Sequence, residues 1–264
     1  MKGQAMYEQI LVERAEGIAT ITLNKPPFNL ASFTMLNELK AGFDAIESEA
    51  DTRVIVLRGA GERAFSAGAD LGDESRHTAD TGRSFRELGR LLVERIETFP
   101  KPVISAVRGW CIGGGTGLAW AADIRIASET AKFRAGDVYL GIIPTWSIGM
   151  VRLVHHIGRN RTLDLLLLGE DITAARALEL GLMSKVVPDA EFDATVKATA
   201  QRLASGAPLP IQAIKEAVRS QYYDGPDRAA VLEEKWAQRI LSSKDAKEGM
   251  AAFHEKRQAK FTGE

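Results

Sequence analysis

The 264-residue chain has little cysteine, little net charge and no long apolar run, and each shortage excludes a class of protein. Its single cysteine, Cys111, cannot form an internal disulfide, which fits a reducing compartment such as the cytoplasm. A formal net charge of −1 argues against nucleic acid as a main partner. No apolar run approaches the roughly 20 residues of a membrane span, and residues 1–7 lack the apolar centre of a signal peptide. We therefore expect a cytoplasmic globular protein with neither a membrane nor a nucleic-acid partner.

Several motifs of catalysis and binding are also missing. The glycines at 113, 114, 115 and 117 match neither G-x-x-x-x-G-K-[ST] nor G-x-G-x-x-G, which disfavours a nucleotide-phosphate loop. There is no G-x-S-x-G elbow for a serine nucleophile. Cys111 has no histidine near it in sequence and is interpreted as a buried thiol, not a nucleophile. His155 and His156 are adjacent and would point to different faces of a helix, so we expect no metal site there.

The main feature that is present is a glycine-rich turn at residues 109–117. It follows a strand-like apolar run at 103–107 and precedes a helix-like run of small residues. Amide N–H groups in the first turn of a helix have no intrahelical acceptor and favour an anion or a developing oxyanion. By itself the pattern also fits close packing or a phosphate loop.

A second glycine turn, at residues 63–71, follows a strand-like run at 54–57. Successive parallel strands bring their carboxyl ends to one edge of a sheet, so the two turns should lie side by side. Two amide donors, one from each turn, would then converge on one oxygen. A carbonyl that becomes an enolate needs this geometry.

Hydrophobic periodicity predicts a mixed core followed by a helical tail. Strands are expected at 18–23, 54–57, 103–107 and 124–127, with helices at 33–48 and 84–99 and a polar loop at 71–81. After Pro144 the pattern predicts helices at 161–168, 173–180, 192–204, 210–222, 229–241 and 245–260, with Thr173 and Ser243 as N-caps. The first two thirds therefore indicate repeated β-crossover units, and the tail packs on them or on another subunit.

Five segments together resemble the crotonase (enoyl-CoA hydratase/isomerase) family, and the match runs in order from about residue 7 to 261. The segments are 65–71, 109–115, 121–127, 140–144 and 248–257. The resemblance implies an α/β fold, a spiral of ββα units with a helical C-terminal region. We divide the chain into a core with an acyl-CoA site (1–200) and a helical region for packing and oligomerisation (201–264). It also implies a homotrimer or a dimer of trimers.

The resemblance further implies that the substrate is an acyl-CoA thioester, with coenzyme A as part of the substrate and no additional cofactor. The backbone N–H groups of Ala69 and Gly114 would hold the thioester oxygen. Other substrate contacts would come from Lys25 and Phe28 beside the CoA chain, from Ser66, Ala67, Asp70 and Leu71 along the adenine and pantetheine, and from Gly113.

The acid/base positions depart from the hydratase pattern. Gly117 stands where two-carboxylate hydratases carry the first glutamate, and Asp137 matches the second, shorter by one methylene. Without the resemblance, Asp137 would be interpreted as a turn or helix-cap residue, as Asp70 and Asp123 are. Trp146 and residues 147–149 replace the paired glycines common at this place in the family, and Trp146 would shorten or flatten the acyl cavity or pack in the core.

Three functional hypotheses follow. The first is enolate chemistry on a CoA thioester, for hydration/dehydration or double-bond migration, with Asp137 as the single acid/base. The second is decarboxylation of a malonyl-type CoA, in which loss of CO2 forms the enolate directly. The third is a relative that binds CoA thioesters or RNA without catalysis, against which the near-neutral charge and the intact glycine turns argue.

Overall fold

The computed structural model describes residues 7–74, 79–144, 146 and 149–264. These residues form the strands β1 (Ile10–Ala15), β2 (Ile18–Leu23), β3 (Val54–Gly59), β4 (Ala64–Ser66), β5 (Val103–Val107), β6 (Trp110–Ile112), β7 (Ile124–Ser128), β8 (Lys132–Arg134), β9 (Ile172–Thr173) and β10 (Lys185–Val187). The helices are α1 (Phe33–Glu47), α2 (Leu71–Glu74), α3 (Ala79–Thr98), α4 (Gly114–Trp120), α5 (Gly149–Ile157), α6 (Arg159–Leu168), α7 (Ala174–Glu179), α8 (Phe192–Ala204), α9 (Pro208–Tyr223), α10 (Pro226–Leu241) and α11 (Lys244–Glu255). Two short 3₁₀ helices span Asp137–Leu140 and Asp189–Glu191.

The strands form two sheets. The larger has the order β1-β2-β3-β5-β7-β10 and is parallel except for the antiparallel pair β1 and β2. The smaller has the order β4-β6-β8-β9. In the units that begin with β3, β5 and β7, a strand of the larger sheet leads into a three-residue strand of the smaller sheet and then into helical segments. This repeat is the predicted ββα spiral.

The short strands of the smaller sheet were not predicted from the sequence. Residues 64–66 and 110–112 were assigned to glycine turns, but they form β4 and β6. Three residues are too few to show a two-residue period, so only pairing with a neighbour identifies them as strands. The predicted loop at 71–81 was wrong at both ends, because α2 begins at Leu71 and α3 begins at Ala79. Residues 75–78 lie outside the described part of the chain.

The main core lies on one face of the larger sheet, beneath α1, α3 and α4. Its fully buried aromatic side chains are Phe43, Phe65, Phe85, Phe99, Trp120 and Phe133. On the opposite face α8 contributes Phe192, which packs with residues of β3, β5 and β7. The central strands are therefore apolar on both faces, as their unbroken hydrophobic runs predicted.

The C-terminal region is helical as predicted, but several of its helices begin or end at residues other than those predicted. Thr173 and Ser243 are N-caps whose side chains accept hydrogen bonds from backbone N–H groups. The last helix ends at Glu255, five residues before the predicted end, because Lys256 adopts a left-handed conformation (φ 53°) that ends it. The division of the chain at residue 200 stays a prediction, and α8 crosses it. No helix in the described part of the chain is long and apolar enough to cross a membrane.

Candidate active site

The two glycine turns meet because the short strands that precede them pair in the smaller sheet. Ser66 of β4 lies opposite Cys111 of β6. A Cβ atom at Gly115 would lie 2.2 Å from the Ser66 carbonyl oxygen, and one at Gly68 would lie 2.8 Å from the Ile112 carbonyl oxygen. Real Cβ contacts are not this short, so the two backbones approach as closely as they do only because both positions are glycine.

The backbone N–H group of Ala69 donates no hydrogen bond to any described residue. A parallel bridge pairs Ala69 with Ala31: the Ala31 N–H donates to the Gly68 carbonyl (2.8 Å), and the Asp70 N–H donates to the Ala31 carbonyl (2.8 Å). In this bridge the hydrogen bonds are made by Gly68 and Asp70, the two neighbours of Ala69. The residue between two such neighbours directs its own N–H to the opposite side of its strand. The Ala69 N–H therefore points away from Ala31.

Gly114 is the first residue of α4 and also has an N–H group without an acceptor among the described residues. The helix begins after Gly113, which adopts φ 50° and donates its own N–H to the Arg134 carbonyl (3.0 Å). The N–H groups of Thr116 and Gly117 bond back to the Gly113 carbonyl, as expected in a first helical turn. The Gly114 N–H therefore lies unpartnered among the described residues at the positive end of the helix dipole.

A cavity of about 670 Å³ lies where these turns meet. Seven of the predicted site residues line it, namely Ala67, Ala69, Leu71, Gly113, Gly114, Asp137 and Trp146. Sequence reasoning missed Arg86, Tyr139, Leu140, Ile142 and Ile143, which also line it. Three of these, Leu140, Ile142 and Ile143, lie in a segment used only to establish the resemblance, where a cluster of apolar residues close to Asp137 in sequence was the available signal.

Asp137 brings a carboxylate to this cavity from the start of a 3₁₀ helix. Its Oδ2 atom is buried and has no hydrogen-bond partner among the described residues. Burial raises the pKa of the Asp137 carboxyl above its ordinary value. Asp137 is also the one acidic residue among the described residues that line the cavity. A carboxyl group with a raised pKa and one oxygen without a partner suits proton transfer.

Four predicted contact residues lie outside the lining of the cavity and support the glycine turn at residues 63–71. Lys25 Nζ pairs with Asp70 Oδ2 at 2.6 Å, and this hydrogen bond is the main reason that the Asp70 pKa is lowered. The Arg63 guanidinium lies over the Phe28 ring, with its Cζ atom 5.0 Å from the ring centroid. The fully buried Ser66 donates its hydroxyl hydrogen to the Asn29 carbonyl at 2.8 Å. Their contacts with coenzyme A stay predictions.

The side chains that the sequence indicated as structural all have structural contacts. Cys111 is fully buried, and burial raises its pKa well above the ordinary thiol value, so it is a poor nucleophile. Asp123 Oδ2 accepts from the Val103 N–H (2.7 Å) and pairs with Lys215 Nζ (2.5 Å). In the part of the chain that the structure describes, no three His, Cys, Asp or Glu residues cluster as a metal site would require. His155 instead contacts the rings of two tyrosines.

Comparison with known proteins gives a consistent result. The sequence model of the family described as Enoyl-CoA hydratase/isomerase matches residues 13–264. A probable enoyl-CoA hydratase of Bacillus subtilis is 39% identical over 94% of this chain and 96% of that protein. A short-chain-enoyl-CoA hydratase of Clostridium acetobutylicum is 34% identical over 94% of this chain and 95% of that protein.

Solved structures agree with the sequence relatives. A crystal structure of enoyl-CoA hydratase from Bacillus anthracis superposes with a TM-score of 0.93 at 35% identity, covering 97% of this chain and 100% of that chain. An enoyl-CoA hydratase/carnithine racemase from Magnetospirillum magneticum superposes with a TM-score of 0.90 at 33% identity, over 97% and 96% of the two chains. The chain has the crotonase fold and belongs to the enoyl-CoA hydratase/isomerase family of enzymes.

Proposed function

We propose that this protein converts an acyl-CoA thioester through an enolate, with the N–H groups of Ala69 and Gly114 as the oxyanion hole and Asp137 as the single acid/base. One observation carries the proposal: among the described residues, the N–H groups of Ala69 and Gly114 have no acceptor and Asp137 Oδ2 has no donor, and these three residues line the same cavity. Buried polar groups that remain unpartnered cost free energy, and a substrate that needs two donors and a base satisfies all three.

The two donors would act on the thioester oxygen. As a proton leaves the adjacent carbon, negative charge develops on that oxygen, and donors already aimed at it need no reorganisation. Loss of one such donor typically lowers kcat by about 10²–10³-fold. Both donors belong to backbone held by close contacts at Gly68 and Gly115, which keeps their separation constant during the reaction.

Asp137 would move the proton. In double-bond migration its carboxylate takes a proton from the carbon between the thioester and a β,γ double bond, and the C–H electron pair delocalises onto the thioester oxygen. The resulting carboxylic acid then returns the proton to the γ-carbon, and the carbonyl re-forms with the double bond at α,β. The raised pKa of Asp137 favours the return step.

One carboxylate favours migration over hydration. Hydration must also activate a water molecule for the β-carbon, and Gly117 has no side chain to do so. The names of the Bacillus subtilis and Clostridium acetobutylicum relatives support hydration, for which another group would have to hold the water. Each reaction passes through an enolate of its own, and the same two N–H donors would stabilise the negative charge on the thioester oxygen in both.

A panel of thioesters separates these reactions. The purified protein is incubated with crotonyl-CoA, 3-hexenoyl-CoA, a cyclic enoyl-CoA and methylmalonyl-CoA, and the products are identified by mass spectrometry. A mass increase equal to one water molecule indicates hydration, and an unchanged mass with a shifted double bond indicates migration. Binding of these thioesters without conversion of any of them would contradict the proposal.

Decarboxylation is the second candidate function, and the absence of a second carboxylate, with Gly117 at that position, favours it as well. Loss of CO2 from a malonyl-type thioester leaves its electron pair on the α-carbon, so the two N–H donors would stabilise the enolate without a base. Release of CO2 from methylmalonyl-CoA by the Asp137→Asn variant at the wild-type rate would support this candidate and remove Asp137 from the enolate-forming step.

A further inference from the structure

Trp146 occupies an unusual place, because its indole spans the gap between α3 and the start of α4. At one end, a Cβ atom at Gly89 of α3 would lie 2.5 Å from Cδ2 of the indole. At the other end, a Cβ atom at Gly114 would lie 2.1 Å from Cη2. Both contacts are impossible for any residue with a side chain, so the ring fits between two glycine positions.

The indole is held in this place by the core. Trp146 is only 6% exposed, and the fully buried Phe85 meets its ring edge-on at a centroid distance of 5.9 Å and an interplanar angle of 86°. Edge-to-face contacts of this kind stabilise a defined ring orientation. The same indole also lines the cavity, so the contacts that pack it in the core also fix the position of this part of the cavity wall.

Contact with Gly114 places the indole beside the reacting end of a substrate. This placement rests on the proposed function. A thioester oxygen that accepts a hydrogen bond from the Gly114 N–H lies about 3 Å from that nitrogen. The carbonyl carbon would lie one bond further on, in the cavity that the six-membered ring of Trp146 lines beside Gly114. Unlike a flexible leucine or methionine, a ring wedged between two glycines cannot turn aside for a longer chain.

We propose that Trp146 determines acyl specificity by closing the cavity beside Gly114, so that the site accepts short or flat acyl groups and rejects long chains. The flat face of the ring suits a planar, conjugated acyl group. Exclusion of even one methylene from an apolar pocket is worth roughly 10–200-fold in specificity, so several excluded methylenes should give a large preference.

Binding tests this role without depending on turnover. Butyryl-CoA and octanoyl-CoA are saturated and lack a double bond to hydrate or move, and their dissociation constants are measured by calorimetry. We expect the wild-type protein to bind butyryl-CoA at least about tenfold more tightly than octanoyl-CoA. Trp146→Leu should shift this ratio at least about tenfold toward octanoyl-CoA, and Trp146→Phe should shift it less and in the same direction.

Two controls make the result decisive. Trp236 is buried to a similar degree, at 7% exposure, but belongs to a separate cluster with Leu209 and Ala213 in the tail, so Trp236→Leu should lower stability without moving the ratio. Because each ratio is taken within one preparation, a partly unfolded variant does not distort it.

The two proposals fail in different ways. An equal ratio in wild type and Trp146→Leu, or a wild type that already binds octanoyl-CoA as tightly as butyryl-CoA, overturns the specificity role. A shifted ratio in a protein that converts no thioester of the panel confirms the role of Trp146 and overturns the proposed reaction. Absence of binding to either thioester overturns both.

Discussion

Gly115→Ala should damage the oxyanion hole without touching a substrate-binding group. Gly115 follows Gly114 in the first turn of α4, and its added Cβ would lie 2.2 Å from the Ser66 carbonyl oxygen and 3.0 Å from the Ser66 carbonyl carbon. Ser66 cannot retreat, because it belongs to β4 and its hydroxyl is bonded to the Asn29 carbonyl. The first turn of α4 must therefore move away by about 1 Å, and the Gly114 N–H moves with it.

A displacement of this size has a predictable effect on the rate. Misplacing a catalytic group by about 1 Å costs on the order of 10²-fold, comparable to the loss of one oxyanion donor. We expect kcat/KM on the best thioester of the panel to fall by about 10²-fold, which corresponds to roughly 2.7 kcal/mol. Overpacking should also lower the free energy of unfolding by about 1–3 kcal/mol.

The assay compares kcat/KM at a temperature at which each variant is folded, as judged from its thermal unfolding curve. Gly42→Ala is the matched control, since Gly42 is also buried in a helix, α1, but its nearest neighbour is the flexible end of the Ile10 side chain at 3.4 Å. It should leave kcat/KM unchanged. A folded Gly115→Ala variant with kcat/KM within about threefold of wild type would refute the idea that the spacing of the two turns controls the reaction.

The remaining predictions concern the site and its support. Asp137→Asn should lower turnover by about 10²–10⁴-fold with little change in thioester binding. Because the pKa of Asp137 is raised in the folded state, the acid limb of the wild-type kcat/KM profile should lie above the ordinary aspartate value of about 3.9. For the same reason Asp137→Asn should raise the melting temperature at neutral pH and not in acid, where the carboxyl is protonated in both states; an equal change at both pH values would argue against burial of the charge. Gly117→Glu should increase water addition relative to migration, and product ratios by mass spectrometry test this. Lys215→Met removes the cation that pairs with the partly buried Asp123 carboxylate and should lower the free energy of unfolding by about 1–3 kcal/mol in a urea titration; no measurable loss would argue against a stabilising pair. Light scattering at micromolar concentration should give a trimer or a multiple of it, and a strictly monomeric protein would contradict the expected assembly.

The sequence by itself determined the long elements and the family. β3 and β5 were predictable because they are unbroken β-branched and apolar runs, and α8 because its apolar residues recur at helical spacing. The glycine turns were predictable as turns, and their order along the chain pointed to one edge of the sheet. Asp137 was identified by its place in the family motif, because an aspartate after a glycine has no distinctive local signal.

Only the tertiary structure decided how these parts meet. The strands β4 and β6 exist because they pair with each other, and that pairing brings Ala69 and Gly114 to one cavity. The contact of Trp146 with Gly89 and Gly114 joins residues far apart in the chain, so no local pattern contains it. The physical reason is that φ/ψ preference and hydrophobic period act over a few residues, whereas the distance between two loops is decided by the packing of the two sheets and the helices that cover them.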